Sequence, residues 1–149
     1  MDVTGSELPA KKNQYLKFIY LHGGPIKTTD ISRHFNIAPS TVTRALHDLA
    51  KPGYITYSRY HGAELTPDGE SYARFLVRRH RILSLMFTRS GLTKEEACTQ
   101  AELIESQVSR SVIDTICASL GHPTMSICGR IEHDSLFCCP VVEVEEELM

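Results

Sequence analysis

Apolar positions along the chain fall into three short helical stripes, two alternating segments and then one long helical stripe. In "LPAKKNQYLKFIYLHGG", Tyr15, Phe18 and Ile19 recur at helical spacing, and Gly23-Gly24-Pro25 closes the run. "KTTDISRHF" predicts a second, shorter helix with Thr28 or Thr29 as N-cap and Ile31 and Phe35 turned inward. The tight turn "NIA" leads into "PSTVTRALHDLAK", a third helix with Pro39 in its first turn and Val42, Leu46 and Leu49 on its core face. Pro52-Gly53 stops it. "YITYSRYHGAELT" then carries two β-prone segments, Tyr54 to Ser58 and Ala63 to Leu65, around "RYHG", which predicts a hairpin with Gly62 in its turn. Thr66-Pro67 caps a long helix running to about Ser90, with Ala73, Leu76, Val77, His80, Leu83 and Phe87 on its inward face.

The pattern stays helical beyond the break at "SGLT". Thr93 with Glu96 forms a capping box. The stretch "CTQAELIESQVS" reads as a helix in which Ala97, Ala101, Ile104 and Val108 share one face. Cys98, Glu102, Glu105 and Ser109 form the stripe beside it, so two carboxylates and a thiol stand at the edge of a buried surface. A last helix spans roughly Ser109 to Leu120, with Ile113, Ile116, Cys117 and Leu120 together, and "GHP" ends it. The final 27 residues read as irregular, with a β-prone segment at "PVVEVE". With no repeat and no low-complexity linker, the module boundary is expected inside the long helix near residue 75, giving modules 1–75 and 76–149.

Helix, helix, tight turn, helix, hairpin is the order of a winged helix-turn-helix. Since Val42, Leu46 and Leu49 take the core side of the third helix, Ser40, Thr43, Arg44 and His47 must face outward. Hydroxyl side chains at helix starts, Thr28, Ser40 and Thr41 among them, suit phosphate and base-edge contacts, and Arg44 can bridge guanine O6 and N7. Arg59 and Tyr60 at the hairpin tip suit contacts to the nucleic-acid backbone. Charge sharpens this picture. Residues 1–90 hold 13 Lys and Arg against 7 Asp and Glu, a net +6, while residues 91–149 hold 3 against 11, a net −8. The basic half suits a polyanion partner. A winged helix that docks proteins around a structural metal is the competing class, since the fold alone does not decide function. No phosphate loop, nucleophile elbow or zincin pattern is present, so an enzyme is not expected.

The chain has no run of 18 apolar residues and no apolar stretch of signal-peptide type at "MDVTGSELPAKKNQ", so a cytoplasmic protein without a membrane partner is expected. Five cysteines, an odd count, argue against a disulfide framework and turn attention to metal or redox chemistry. Cys117 sits in an apolar stripe and reads as core. In "SICGRIEHDSLFCCP", Cys128, Cys138 and Cys139 lie near His133, a set of soft ligands for zinc or an iron–sulfur cluster, with Cys98 or His133 completing it. A regulator that senses redox state through these residues is the alternative within the same class.

The stretches "APSTVTRALHDLAKPGYITYSRYHGAELTPDGESYARFLVRRHRIL", "EEACTQAELIESQVS" and "LGHP" resemble the diphtheria toxin repressor and manganese transport regulator family of metal-responsive repressors. The resemblance extends to about residue 130 and matches the short form, without the third, SH3-like domain. It implies a mainly α protein, in which a winged helix-turn-helix is followed by a helical metal-binding and dimerisation domain. It also implies a homodimer on a double-stranded operator of metal-homeostasis genes. The family's metal ligands fall on His80, Glu102 and Glu105, where Fe2+, Mn2+ or Zn2+ would bind, with Cys98 beside them. The histidine that follows in the family pattern is Ser106 here, and two first-helix ligand positions are Gln14 and Lys17. Three arrangements therefore stand open for the glutamates: a metal site with His80, a pairing with Lys17 that mimics the ion, or plain solvation.

Overall fold

The protein is described by a computed structural model over residues 3–133. The chain divides into two compact units between Val77 and Arg78, inside one continuous helix.

The first unit begins with α1 (Ala10–His22), which ends on Gly23 in the left-handed conformation, φ 82°. Next come α2 (Thr28–Phe35) and α3 (Pro39–Ala50), joined through Asn36 at φ 54°. The Ser32 hydroxyl braces this turn by donating to the Ile37 carbonyl at 2.5 Å. Val42, Leu46 and Leu49 of α3 are fully buried together with Leu16, Ile19 and Ile31. Burial of each such leucine contributes about 1.5–3 kcal/mol. Lys12 pairs with Asp48 at 3.4 Å, linking α1 to α3.

The hairpin β1 (Ile55–Ser58) and β2 (Gly62–Leu65) pairs antiparallel, Ser58 opposite Gly62. Its loop is therefore Arg59-Tyr60-His61, and Gly62 lies in the strand, not in the turn as expected. The reason is a close approach. Ile26 and Ala63 exchange backbone hydrogen bonds of 2.9 and 2.8 Å, and a Cβ at Gly62 would stand 2.2 Å from the Ile26 carbonyl oxygen. α4 (Pro67–Arg89) follows. The Thr66 hydroxyl accepts from the Gly69 backbone N–H at 3.1 Å and donates to the Gly53 carbonyl, so one threonine caps α4 and ties it to the end of α3.

The second unit contains the C-terminal part of α4, α5 (Lys94–Ile104), a 3-10 turn (Glu105–Gln107), α6 (Arg110–Ser119) and a small hairpin of β3 (Met125–Ser126) with β4 (Gly129–Arg130). The capping box at the start of α5 is present as expected: Thr93 accepts from the Glu96 N–H, and the Glu96 carboxylate accepts from the Thr93 N–H. Its core gathers Ile82, Leu83, Leu85, Ala101, Ile113, Cys117 and Ile131. Arg78 and Arg79 are also buried, 1% exposed each. The Arg78 guanidinium donates to Asp114 at 2.8 Å, and Arg79 donates to the Val108 carbonyl at 3.1 Å.

The segment expected to be one helix through Ser109 breaks after Ile104. The chain tightens into the 3-10 turn, Val108 is extended, and Ser109 stands as N-cap of α6. A 3-10 turn advances about 120° per residue against about 100° in an α-helix. Glu105 thereby leaves the stripe that Cys98 and Glu102 occupy, and Ile104 is 37% exposed in place of the core position expected for it. The β3–β4 hairpin falls in a region expected to be irregular. The "PVVEVE" segment lies outside the described residues.

Candidate functional site

In the first unit, packing decides the orientation of α3. With Val42, Leu46 and Leu49 inside, Ser40, Thr41, Arg44 and His47 are exposed. Thr43 is half-buried, and its hydroxyl donates back to the Pro39 carbonyl at 3.0 Å, committing it to the helix. His47 stands edge-on to Tyr57, ring centroids 5.3 Å apart. Tyr57 in turn shares a 3.2 Å hydrogen bond with the Thr28 hydroxyl. Thr28 is thus the first residue of α2 rather than its N-cap, which is Lys27, and its side chain braces α2 against the hairpin. Sequence reasoning missed Tyr57, whose alternation in β1 marked only a strand residue. Arg59 and Tyr60 are exposed at the hairpin tip, Tyr60 by 88%.

In the second unit, one imidazole and two thiols converge. The ligand atoms of His80, Cys98 and Cys128 all lie within 4.8 Å of one another. His80 comes from the middle of α4, Cys98 from α5 and Cys128 from the two-residue loop between β3 and β4. The two sulfurs are 3.0 Å apart, and the Cys128 sulfur is 3.8 Å from His80 Nε2. On the other side of the ring, His80 Nδ1 meets the Glu105 carboxylate at 2.7 Å. Ser84, one turn after His80 on α4, reaches Cys128 Sγ at 3.4 Å.

The thiols titrate as a pair. Cys98 is pushed up to about 11 by burial first, then by its hydrogen bond to Cys128 and the negative charge of Cys128 and Glu102, with Lys94 opposing. Burial also acts to raise Cys128, but its hydrogen bonds to Cys98 and Ser84 and the charge of His80 outweigh it, and Cys128 falls below the ordinary thiol value. The opposite directions follow from the two sulfurs standing 3.0 Å apart in unequal surroundings, Cys128 beside His80 and Ser84, Cys98 beside Glu102.

The structure therefore redraws both expected ligand sets. Cys128, grouped with the C-terminal cysteines on sequence spacing, joins His80 and Cys98. Glu105 is buried against His80, and Glu102 is exposed one turn along α5 from Cys98. His133 Nε2 donates to the Pro123 carbonyl at 2.7 Å, so Nε2 carries the proton. Burial first, then the nearby charges of Arg78 and His122, lower the His133 pKa against the effect of that bond. Cys138 and Cys139 lie outside the described residues. Cys117 is fully buried in the core, as its apolar stripe suggested. Lys17 and Gln14 stand half-buried on α1 of the first unit.

Residues 7–63 match the family model described as the iron dependent repressor N-terminal DNA binding domain. Residues 66–133 match that of the iron dependent repressor metal binding and dimerisation domain. The HTH-type transcriptional regulator MntR of Lysinibacillus sphaericus is 34% identical over 105 residues, 68% of this chain and 76% of that protein. MntR of Bacillus subtilis is 31% identical over 105 residues, 68% of this chain and 74% of the relative. Among solved structures, ScaR with bound Zn2+ superposes with a TM-score of 0.73 at 26% identity, covering 82% of this chain and 59% of ScaR. A hypothetical protein of Sulfolobus solfataricus, at 22% identity and a TM-score of 0.68, shares the fold over 83% of this chain and 96% of its own. These comparisons lend no support to an iron–sulfur cluster.

Proposed function

Because the chain belongs to the iron-dependent repressor family, we propose that it is a metal-responsive transcriptional repressor that binds an operator as a homodimer. The family consists of DNA-binding regulators, not enzymes. The observation that carries the DNA half is the α3 face that core packing leaves exposed, with Ser40, Thr41, Arg44 and His47 on it and Arg59 and Tyr60 on the neighbouring hairpin. Arg44 reads a guanine edge; Arg59 and Tyr60 hold the backbone; Thr28 and Thr43 support the helices that present them. The metal half rests on the convergence around His80, where Cys98, Cys128 and Glu105 meet and Glu102 adds negative charge.

The dimer is supported by apolar side chains that the second unit leaves in water: Leu103 at 68%, Val112 at 47% and Ile104 at 37% exposure. We assign them to the partner-facing surface, consistent with the dimerisation role of the family's second domain. Lys17 takes a position where the family resemblance puts a metal ligand, and we assign it a fixed positive charge there in place of an ion. No helix among the described residues is long and apolar enough to cross a membrane.

The test is selection of DNA sites from a random duplex library by the reduced protein, with and without divalent metal, followed by binding isotherms across salt concentrations. The expected result is a site with two-fold symmetry whose affinity depends on metal and falls steeply with salt. A library that returns no enriched site under either condition would sink the repressor reading and favour a protein-docking module.

A further inference from the structure

We propose that the ion sensed by this protein is a thiophilic divalent cation of the zinc class, bound by His80 Nε2 and the Cys98 and Cys128 sulfurs. This inference rests on reading the second unit as the metal-sensing one.

Four observations carry it. The first is spacing. A tetrahedral ion with metal–sulfur bonds of about 2.3 Å and a metal–nitrogen bond of about 2.0 Å sets sulfur–sulfur and sulfur–nitrogen separations of about 3.5–3.8 Å. The separations here are 3.0 Å between sulfurs and 3.8 Å from Cys128 to His80. Side-chain adjustments of under about 1 Å accommodate an ion. The second is the tautomer. The Glu105 carboxylate 2.7 Å from Nδ1 accepts the proton there, leaving the Nε2 lone pair on the side of Cys128. A carboxylate behind an imidazole in this way is the usual support of a metal-bound histidine.

The third is ligand softness. Two sulfurs and an imidazole favour zinc, cadmium or cobalt over manganese or magnesium, which take oxygen ligands. Of the two carboxylates that family resemblance assigns as direct ligands, Glu105 is engaged by His80 and Glu102 is exposed. The oxygen donors that would suit manganese are thus drawn away from the ion's first contacts. The partial exposure of His80, Cys98 and Cys128 leaves room for water in the fourth position.

The fourth is where Cys128 comes from. It sits in the loop of a hairpin whose strands are two residues each, too short to be stable alone. The hairpin is held by the Arg81 guanidinium on the Arg130 carbonyl, by the Ser126 hydroxyl on the Arg81 carbonyl at 2.8 Å, and by the buried Ile131. A bond from Cys128 to the same ion as His80 and Cys98 ties this hairpin to α4 and α5. Metal occupancy is thereby coupled to the order of the segment around residues 124–131.

The experiment uses the full chain, reduced and stripped of metal. Zn2+ and Mn2+ affinities are measured by competition with chromophoric chelators, and Co2+ serves as a spectroscopic probe. The expected result is one Zn2+ per chain, at least about 100-fold tighter than Mn2+, and a Co2+ adduct with intense sulfur-to-metal charge-transfer and tetrahedral visible bands. Cys98→Ser and Cys128→Ser should each reduce Zn2+ affinity by more than the ~10–100-fold typical of losing a supporting residue, and Glu105→Gln by about that factor. In case a variant fails to fold, alkylation of the wild-type protein is mapped by mass spectrometry. Zn2+ should protect Cys98 and Cys128, and Mn2+ should not. Equal affinities for the two ions, a Co2+ spectrum without sulfur bands, or alkylation unaffected by Zn2+ would overturn the proposal. The repressor reading is tested separately, since none of these measurements contains DNA.

Discussion

In α3 the residues with chemistry stand on the face that packing leaves over, whereas in the second unit they arrive from four separate segments and meet inside the fold. Arg44 and His47 are exposed because Val42, Leu46 and Leu49 are buried, and that relation is a matter of helical spacing within 12 residues. His80, Cys98, Glu105 and Cys128 span 49 positions, and no periodicity relates them. One unit exposes its binding groups by default; the other must fold before its group exists. The two are also built differently inside. The first unit's helices pack on Leu16, Ile31 and Leu46, while the second adds a buried guanidinium, Arg78, held by a half-buried carboxylate, Asp114, which also lies 3.7 Å from Arg110.

This contrast ranks the expected effects. Asp114→Ala leaves Arg78 buried without its carboxylate and should cost about 3–5 kcal/mol, the usual penalty for halving a buried pair. Leu46→Ala should cost about 2–5 kcal/mol through the cavity it opens. Urea unfolding of both variants measures the difference. A loss under about 1 kcal/mol for Asp114→Ala would mean that the buried arginine does not depend on this partner.

Next in size are the effects on DNA. Arg44→Ala should weaken binding to a selected operator by about 1–3 kcal/mol and relax specificity at one base pair. Arg59→Ala should weaken specific and non-specific binding alike and reduce the salt slope by about 1. Isotherms at several salt concentrations separate the two. If both variants match the wild type, α3 and the hairpin are not the DNA-binding surface.

The smallest effect comes from His133, whose folded pKa is lowered by burial. The unfolded chain then binds the proton more readily. Stability gained from this residue is present above the ordinary histidine value of 6.5 and is lost as pH falls through that value toward the lowered one. His133→Asn should flatten this part of the stability profile. A profile unchanged by the substitution would assign the slope to other groups.

The same contrast explains what the sequence disclosed. The order of helices and hairpin was legible because each element carries its own signal: Gly23 after α1, Pro39 at the start of α3, Thr66 before α4, the Thr93–Glu96 box before α5. The outward face of α3 followed from its inward one. Gly62 misled because a glycine between β-prone segments resembles a turn residue, while its actual constraint is the Ile26 backbone pressed against it from a distant part of the chain. The break after Ile104 was hidden by an apolar spacing that fits an unbroken helix through Val108. The 3-10 turn and the contact with His80 place Glu105 inside, while Glu102 stays exposed on α5. Sequence spacing marks Cys128 as a soft ligand and groups it with Cys138 and Cys139, because the β3–β4 hairpin that turns it toward His80 has strands of two residues and leaves almost no pattern.

Lys17→Glu tests the ion-mimic arrangement that the family resemblance leaves open at this position. If Lys17 supplies a fixed charge in place of an ion, the glutamate variant should acquire an Mn2+ response that the wild type lacks, with Zn2+ affinity at the thiol site unchanged. An unaltered metal profile would leave Lys17 without a sensing role.

The most direct test of the account is operator binding, followed by fluorescence anisotropy, as Zn2+ is titrated into the reduced wild-type protein and its Cys98→Ser and Cys128→Ser variants. The account predicts that zinc tightens wild-type binding by about 5–150-fold, the usual range for coupled sites, and that neither variant responds at the same zinc concentration. Variants that respond as the wild type does, or a wild-type protein switched by Mn2+ and indifferent to Zn2+, would contradict it.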